Sequence, residues 1–358
     1  MQKDRSTLEA LGWDEWFDEQ AKLLCDPKSS VARVIAMDRG ELLLINEVGS
    51  FRSKFSGKYL FESDASANFP CVGDWVCVEK KGADELGIIN ALLERKTRLR
   101  RKSAGKSVEF QMIAANIDFV IVVQSCHYDF NLKRLERYLV MVKEGGATPY
   151  ILLTKTDLVK AEVLATQVAQ IKDAGITASI LTLSNVTQEG IEELKNILSP
   201  GKTYCFVGSS GVGKSTIING LIGREILETN VVSETGEGMH TTVRRELILL
   251  ENGAMVIDNP GMREFGIISA EIGIESGFSD ITELALLCRF SDCSHTNEPG
   301  CAVIKARDAD EISAEHYDNF IKLKKESEFN QMSYVEKRRK DKDFGKFIKT
   351  AKKDIYRK

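Results

Sequence analysis

The stretch Tyr204-Cys-Phe-Val-Gly208-Ser209-Ser210-Gly211-Val212-Gly213-Lys214-Ser215-Thr216 constrains this chain more than any other. A short apolar run stops at Gly208, and the residues after Lys214 pattern as an amphipathic helix. Strand, glycine-rich turn and helix, in that order, form the context in which the G-x-x-x-x-G-K-[ST] pattern holds phosphate. Glycines let successive backbone N–H groups turn inward, and the helix N-terminus adds partial positive charge. Lys214 is placed to meet β- and γ-phosphates, and the Ser215 hydroxyl suits a Mg²⁺ position. The pattern implies a nucleoside triphosphate ligand wrapped by residues 208–216.

A chain of 358 residues has room for two or three domains around a sizeable core. No apolar stretch approaches the roughly 18 residues of a membrane span, and the N-terminus lacks the apolar core of an export signal. The eight cysteines do not form a disulfide scaffold: five are scattered, and Cys288, Cys293 and Cys301 cluster. That usage fits a reducing cytoplasm. The net charge of −4 conceals two basic segments on an acidic body. Residues 95–106 carry Arg95, Lys96, Arg98, Arg100, Arg101, Lys102 and Lys106 and no acid; residues 336–358 carry eleven Lys/Arg against four acids. Solubilising surface charge explains either segment alone, but the two together suggest directed contact with a polyanion.

Residues 1–30 hold Leu8, Leu11, Trp13, Trp16 and Phe17 among acids, an arm of short helix expected to dock on a neighbour. Between 31 and 102 short strand-like runs, among them Val31–Ile35, Glu41–Ile45, Lys58–Phe61 and Asp74–Val78, are punctuated by glycines. Such spacing predicts a small β-barrel of OB type, which serves nucleic acid or protein docking. From residue 117 strands alternate with helices near 131–144, 160–173 and 189–198, and Val243–Leu250 and Ala254–Ile257 add two more strands. The alternation predicts a three-layer α/β domain over 110–275 with a mostly parallel sheet. Residues 276–358 read as helix, a cysteine cluster and a charged helical tail.

Two further motifs narrow the ligand to a guanine nucleotide. Val256-Ile-Asp258-Asn-Pro-Gly261 is a strand ending in D-x-x-G, with Asp258 on the Mg²⁺ side and the Gly261 N–H facing a γ-phosphate. Thr154-Lys155-Thr156-Asp157 ends another strand. A carboxylate at Asp157 accepts from both guanine donors, which adenine lacks, and Lys155 lies along base and ribose. Ser184-Asn185, after a third strand, supplies the remaining base-side loop. The order is unusual. In Ras-like GTPases the phosphate loop precedes the base-reading motif, whereas here Asp157 precedes Gly208. A circular permutation reconciles the two, because domain termini commonly lie close together. It also makes the segment after Asp258 lead directly into the C-terminal region, so that nucleotide state can move that region.

With these features the chain resembles the circularly permuted GTPases of the RsgA family, also called YjeQ or EngC. The resemblance covers roughly residues 31–330, including Gly236-Glu-Gly238-Met-His240-Thr241-Thr242, Asp258-Asn-Pro-Gly261-Met-Arg-Glu-Phe-Gly266 and the cysteine cluster. It implies a multidomain α/β architecture: an N-terminal OB-like β-barrel, a circularly permuted Ras-like P-loop GTPase domain and a C-terminal zinc-binding helical domain. It also implies GTP hydrolysis in late maturation of the bacterial 30S subunit, with 16S rRNA as partner, and a cytoplasmic monomer is expected. Residues 236–242 would be a switch, with Thr241 or Thr242 ligating Mg²⁺ and Thr242 favoured by the family alignment. Thr154 departs from the family's usual Asn, which removes an amide that braces the pocket. Met262 stands where Ras-like enzymes place a water-orienting Gln, so unassisted hydrolysis should be slow.

Cys288-x4-Cys293-x-His295-x5-Cys301 supplies three thiolates and an imidazole within fourteen residues. That donor set suits a tetrahedral, structural Zn²⁺, and no C-x-x-C redox pair is present. His127 and His316 lack such company and read as ordinary surface or core residues. Against the assembly-factor reading stands a nucleotide-gated protein-binding switch in which hydrolysis is incidental. A small-molecule kinase is disfavoured by Asp157 and by the absence of a separate substrate domain.

Overall fold

The structure is a computed structural model that describes residues 2–38, 41–62, 69–80, 86–102, 110–223, 245–258 and 270–332, with Glu336 and Arg339 beyond them. Gly236–Thr242, Gly261, Met262, Lys106 and the basic tail from 340 onward therefore lie outside the described residues. Within them, no helix is long and apolar enough to cross a membrane.

Helices α1 (Gln2–Ala10) and α2 (Glu15–Leu24) form the N-terminal arm. Asp14 caps α2 by accepting from the Trp16 N–H. The apolar face predicted to need a neighbour finds one: Trp13 and Phe17 are buried, and Trp13 meets Trp75 edge to face at 4.7 Å between ring centroids. Strands β1 (Ser30–Asp38), β2 (Glu41–Asn46) and β3 (Gly49–Phe55) follow, then helix α3 (Gly57–Glu62), β4 (Trp75–Glu79) and β5 (Gly87–Leu92). They pair in the closed order β1-β2-β3-β5-β4-β1, with β3 and β5 parallel and the other pairs antiparallel. This is the OB-like barrel, filled by Ala32, Val34, Leu42, Leu44, Val76, Val78 and Ile89.

Two details correct the sequence expectation. Lys58–Phe61 is helical, because the Ser56 hydroxyl accepts from the Tyr59 N–H and starts a turn; the strand in this region is β3. And Cys25, at the end of α2, is disulfide-bonded to Cys77 on β4, so the cysteines are not all free thiols as their scatter suggested.

Strands β6 (Arg98–Lys102) and β7 (Phe110–Ala115) make a separate hairpin. The basic run therefore lies beside the barrel. It is also only partly free. Arg95 makes a two-point ion pair with the buried Asp74, Lys96 pairs with Asp14, and Arg100 lies 3.9 Å over Phe110 and 3.7 Å from Glu144.

The α/β unit then runs β8 (Phe119–Ser125), α4 (Leu132–Glu144), β9 (Thr148–Thr154), α5 (Ala161–Asp173), β10 (Ser179–Leu183), α6 (Ile191–Ile197), β11 (Thr203–Val207), α7 (Lys214–Ile222), β12 (Glu246–Leu249) and β13 (Met255–Asp258). Its sheet has the order β10-β9-β8-β11-β13-β12, parallel except for β12. Both faces of β8 are covered: Val120 and Val122 pack with Leu135, Leu139 and Ile151, while Ile121 and Val123 pack with Phe206, Ile217 and Leu194. That is why the strand reads as an unbroken apolar run. At β12 the sheet continues into the barrel, where Ala36 pairs with Glu246.

Four helices close the described chain: α8 (Glu271–Gly277), α9 (Ser279–Ala285), α10 (Ala302–Asp308) and α11 (Ala314–Gln331). Helix α8 crosses α4 so closely that a Cβ on Gly273 would stand 2.1 Å from the Val140 carbonyl oxygen; only glycine fits. At the junction of arm, barrel and α/β unit sits Arg33, fully buried. Its guanidinium donates to the carbonyls of Leu11, Gly73 and Asn116 and to the Thr203 hydroxyl, with the Trp75 ring 5.7 Å away.

Candidate functional site

The chemistry-bearing residues gather at the carboxyl edge of the parallel strands, where open α/β sheets bind ligands. Strand β11 is buried at every position and delivers Gly208. A Cβ there would meet the Val123 carbonyl oxygen at 2.2 Å, and Gly208, Gly211 and Gly213 have φ of 149°, 78° and 102°. The loop thus needs its glycines both for backbone conformation and for its close seat on β8. Helix α7 starts at Lys214, as the motif predicts, with Ser215 in its first turn and Thr216 exposed.

The Lys214 ammonium is buried and donates to the carbonyl oxygens of Gly208 (2.9 Å) and Ser209 (2.6 Å). Burial pushes its pKa down to about 8, against the pull of the Asp258 and Asp129 carboxylates. A phosphate at the loop would compete for this ammonium and favour its charged form. Asp258 is buried at the end of β13, in register with Phe206 of β11. The Ser215 hydroxyl and this carboxylate are hard oxygen donors of the kind Mg²⁺ takes.

The base-side residues assemble on the next strands. Leu183 of β10 pairs with Thr154 of β9, which sets Ser184 beside the Lys155–Leu158 turn. Lys155 adopts a left-handed conformation with φ 58°, and Asp157 is exposed in the 3₁₀ turn that follows. The Ser184 hydroxyl donates to the Asp157 carboxylate at 2.5 Å and accepts from the Val186 and Thr187 N–H groups, so the two base-side loops hold each other. Asn185 stands over the phosphate loop, with its amide nitrogen 3.3 Å from the position a Gly213 Cβ would take. Thr154 is fully buried, and its hydroxyl donates to the Val212 carbonyl oxygen at 2.7 Å. The brace expected of an amide at this position is made here by a hydroxyl, a role the sequence did not signal.

The cysteine cluster is equally well assembled. Cys288, Cys293, His295 and Cys301 bring their ligand atoms within 4.8 Å of one another. The Cys288 and Cys301 sulfurs are 3.8 Å apart, and His295 Nδ1 is 3.6 Å from each. Tetrahedral Zn²⁺ with Zn–S of ~2.3 Å and Zn–N of ~2.0 Å requires edges of about 3.8 and 3.5 Å. Cys288, Cys301 and His295 stand at that spacing, and Cys293 lies within 4.8 Å of them, so the donor set suits such a metal. Burial, with a smaller contribution from Lys324, holds the His295 pKa below its usual value, which favours the neutral form that ligates metals. The loop is shaped by Glu298, which accepts from the Ser294, Thr296 and Asn297 N–H groups, and by the Tyr317 hydroxyl, which donates to the His295 carbonyl.

His316 is not an ordinary core residue. It is buried between Glu136 of α4 (2.5 Å) and Asp280 of α9 (3.1 Å). Burial alone would lower its pKa, but the two carboxylates outweigh burial and raise it to about 9.

The sequence profile described as "RsgA GTPase" matches residues 92–268. The chain is 42% identical over 325 residues, 90% of each protein, to "Small ribosomal subunit biogenesis GTPase RsgA 2" of Listeria monocytogenes. It is 38% identical over the full length of both chains to "Small ribosomal subunit biogenesis GTPase RsgA" of Leptospira interrogans. Among solved structures it is similar to YjeQ from Thermotoga maritima (26% identity, TM-score 0.63, 82% of this chain and 97% of that one). It is also similar to YloQ, described as a circularly permuted GTPase (25% identity, TM-score 0.59, 86% and 97%). The permuted motif order, the sheet that gathers those motifs on one edge, and relatives of near-equal length together place this chain in the RsgA family of GTPases.

Proposed function

We propose that this GTP-hydrolysing enzyme acts as an assembly factor in late maturation of the small ribosomal subunit, working in the cytoplasm as a monomer. The observation that supports this most is the convergence of the phosphate loop and the Asp157–Ser184 base loops on one sheet edge, in a chain that aligns over nearly its whole length with proteins named for that role.

In this reading Gly208, Ser209, Ser210, Gly211, Val212 and Gly213 wrap the phosphates, and Lys214 balances the charge that develops during transfer. Asp157 reads guanine, braced by Thr154 and Ser184, with Lys155 along the base and ribose. Ser215 and Thr242 would ligate Mg²⁺, with Asp258 holding it through a water, and the ion would neutralise phosphate charge when bound. The Gly261 N–H meets the γ-phosphate. Cys288, Cys293, His295 and Cys301 hold one structural Zn²⁺. Met262 cannot orient water, so the free enzyme turns over slowly and the subunit supplies or orders the missing group. Arg98, Arg101, Lys102 and the basic tail bind 16S rRNA through its phosphates.

The test is GTP turnover with and without purified small subunits. Stimulation is expected, with subunit binding that weakens as salt is added. An unchanged rate would overturn the assembly role. In competition titrations the enzyme should prefer GTP and GDP over ATP, and Asp157→Ala should relax that preference; equal binding of ATP by the wild type would overturn the assignment of the base loop.

A further inference from the structure

Asn185 carries donors that its own loop does not use. Ser184 ties that loop together, accepting from the Val186 and Thr187 N–H groups and donating to the Asp157 carboxylate. Asn185 is held by its carbonyl oxygen, which accepts from Gln188 Nε2 at 2.6 Å. Its backbone N–H and its half-exposed side-chain amide make no hydrogen bond among the described residues. The side chain nevertheless reaches inward. Its amide nitrogen stands 3.3 Å from where a Cβ on Gly213 would lie, over the glycine-rich loop.

The pocket is short of a donor on that same side. The Thr154 hydroxyl has a single proton and spends it on the Val212 carbonyl oxygen at 2.7 Å. An asparagine at this position would carry two N–H donors, enough to brace the loop and still face a ligand. The Asp157 carboxylate can only accept. Guanine presents donors at N1 and N2 on one edge and acceptors at N7 and O6 on the other, so Asp157 answers the first edge alone. In the anti conformation of a nucleotide the N7 side of the base is turned toward the 5′-phosphates. A group standing between the Asp157 turn and the phosphate loop therefore meets N7. Asn185 stands there: it follows the residue that holds Asp157, and its amide overhangs Gly213.

We propose that the Asn185 side-chain amide donates to N7 of the bound guanine, supplying from the loop after β10 the donor that Thr154 cannot. The assignment rests on the reading of the Asp157 turn and the phosphate loop as the nucleotide site, and it gives Asn185 a task separate from that of Asp157. N7 is an acceptor in adenine as well as in guanine, so this contact adds affinity for purine nucleotides without choosing between them. The choice stays with Asp157, whose carboxylate needs the guanine donors.

The experiment is calorimetric titration of the full-length protein with GDP and with 7-deaza-GDP, in which a C–H replaces N7. The wild type should bind 7-deaza-GDP about fivefold more weakly than GDP, the size of one lost hydrogen bond. Asn185→Ala should lower GDP affinity by a similar factor and bring the ratio between the two ligands below half its wild-type value, because atom and partner then count once rather than twice. Its preference for GDP over ADP should equal that of the wild type. The proposal is overturned if the wild type binds the two guanine ligands within twofold, or if Asn185→Ala keeps more than half of the wild-type ratio; a brace of the loop or a contact to phosphate would weaken both ligands alike. It is also overturned if Asn185→Ala relaxes the preference for GDP over ADP, as expected of Asp157→Ala. Equal binding of ADP and GDP by the wild type would remove the reading of Asp157, while the 7-deaza comparison would still decide Asn185, so the two fail separately.

Discussion

The Thr154 hydroxyl lies 2.7 Å from the Val212 carbonyl oxygen, so a single hydrogen bond ties the end of the strand that leads into the Asp157 turn to the glycine-rich loop before Lys214. Thr154→Val keeps the shape and removes the donor, leaving the carbonyl unsatisfied in a buried site. The expected cost is about 1 kcal/mol, or roughly fivefold in GDP affinity, read by titration of a fluorescent analogue. Thr154→Asn restores a donor and should stay within about twofold of the wild type. Equal affinity in the Val variant would show that the bond does not stabilise the pocket.

Arg33 makes a different kind of prediction, about stability. Its burial lowers its pKa to about 10, with Asp118 and Asp74 opposing the shift, and the charge is held by carbonyls from three parts of the chain. Arg33→Met fills much of the volume but strands those acceptors. Unfolding in urea should lose about 2–4 kcal/mol, with the arm exchanging amide hydrogens first. A loss below about 0.5 kcal/mol would mean that packing around Trp75 carries the junction.

The buried His316 makes docking of the C-terminal helices pH-dependent. Its folded pKa of about 9 lies above the ordinary 6.5, because the Asp280 and Glu136 carboxylates of α9 and α4 outweigh its burial; the Phe278 ring lies tilted beside it at 4.8 Å between centroids. Its stabilisation is therefore complete below about pH 6.5 and is lost as pH rises through 9, amounting to ~2–3 kcal/mol at most. Amide exchange of residues 279–331 should speed up over that window. His316→Gln should remove the pH dependence; if the slope persists in that variant, another group is titrating.

For the cysteine cluster, about one Zn²⁺ per chain should copurify. Cys293→Ser should lower the metal content and loosen residues 288–301 while GTP binding persists. A metal-free wild type, or loss of nucleotide binding in the variant, would count against a separate structural site.

What the sequence made legible was local. The phosphate loop, the Asp157 turn and the cysteine cluster each declare themselves within sixteen residues, because their chemistry needs fixed short spacings. The parallel sheet was readable for a similar reason, since strands covered on both faces must be apolar throughout. The parts that escaped depend on long-range partners. Arg33 in an apolar strand gives no hint that its acceptors include Asn116 and its hydroxyl partner is Thr203, and Glu136 and His316 are 180 positions apart. Lys58–Phe61 was misread because a short apolar run looks alike in helix and strand, and the deciding signal was the Ser56 cap just before it.

The junction of Ala36 with Glu246 bears on how such a chain avoids aggregation. Without β1 alongside, β12 would end the enzyme's sheet as an open edge, and open edges recruit strands from other molecules. The barrel covers the start of that edge, at Glu246, with a strand whose other side is already committed to its own closed ring. The domain read as a docking module thus also gives the catalytic sheet a safe ending, a reason for the two to have stayed on one polypeptide that is independent of anything the barrel binds.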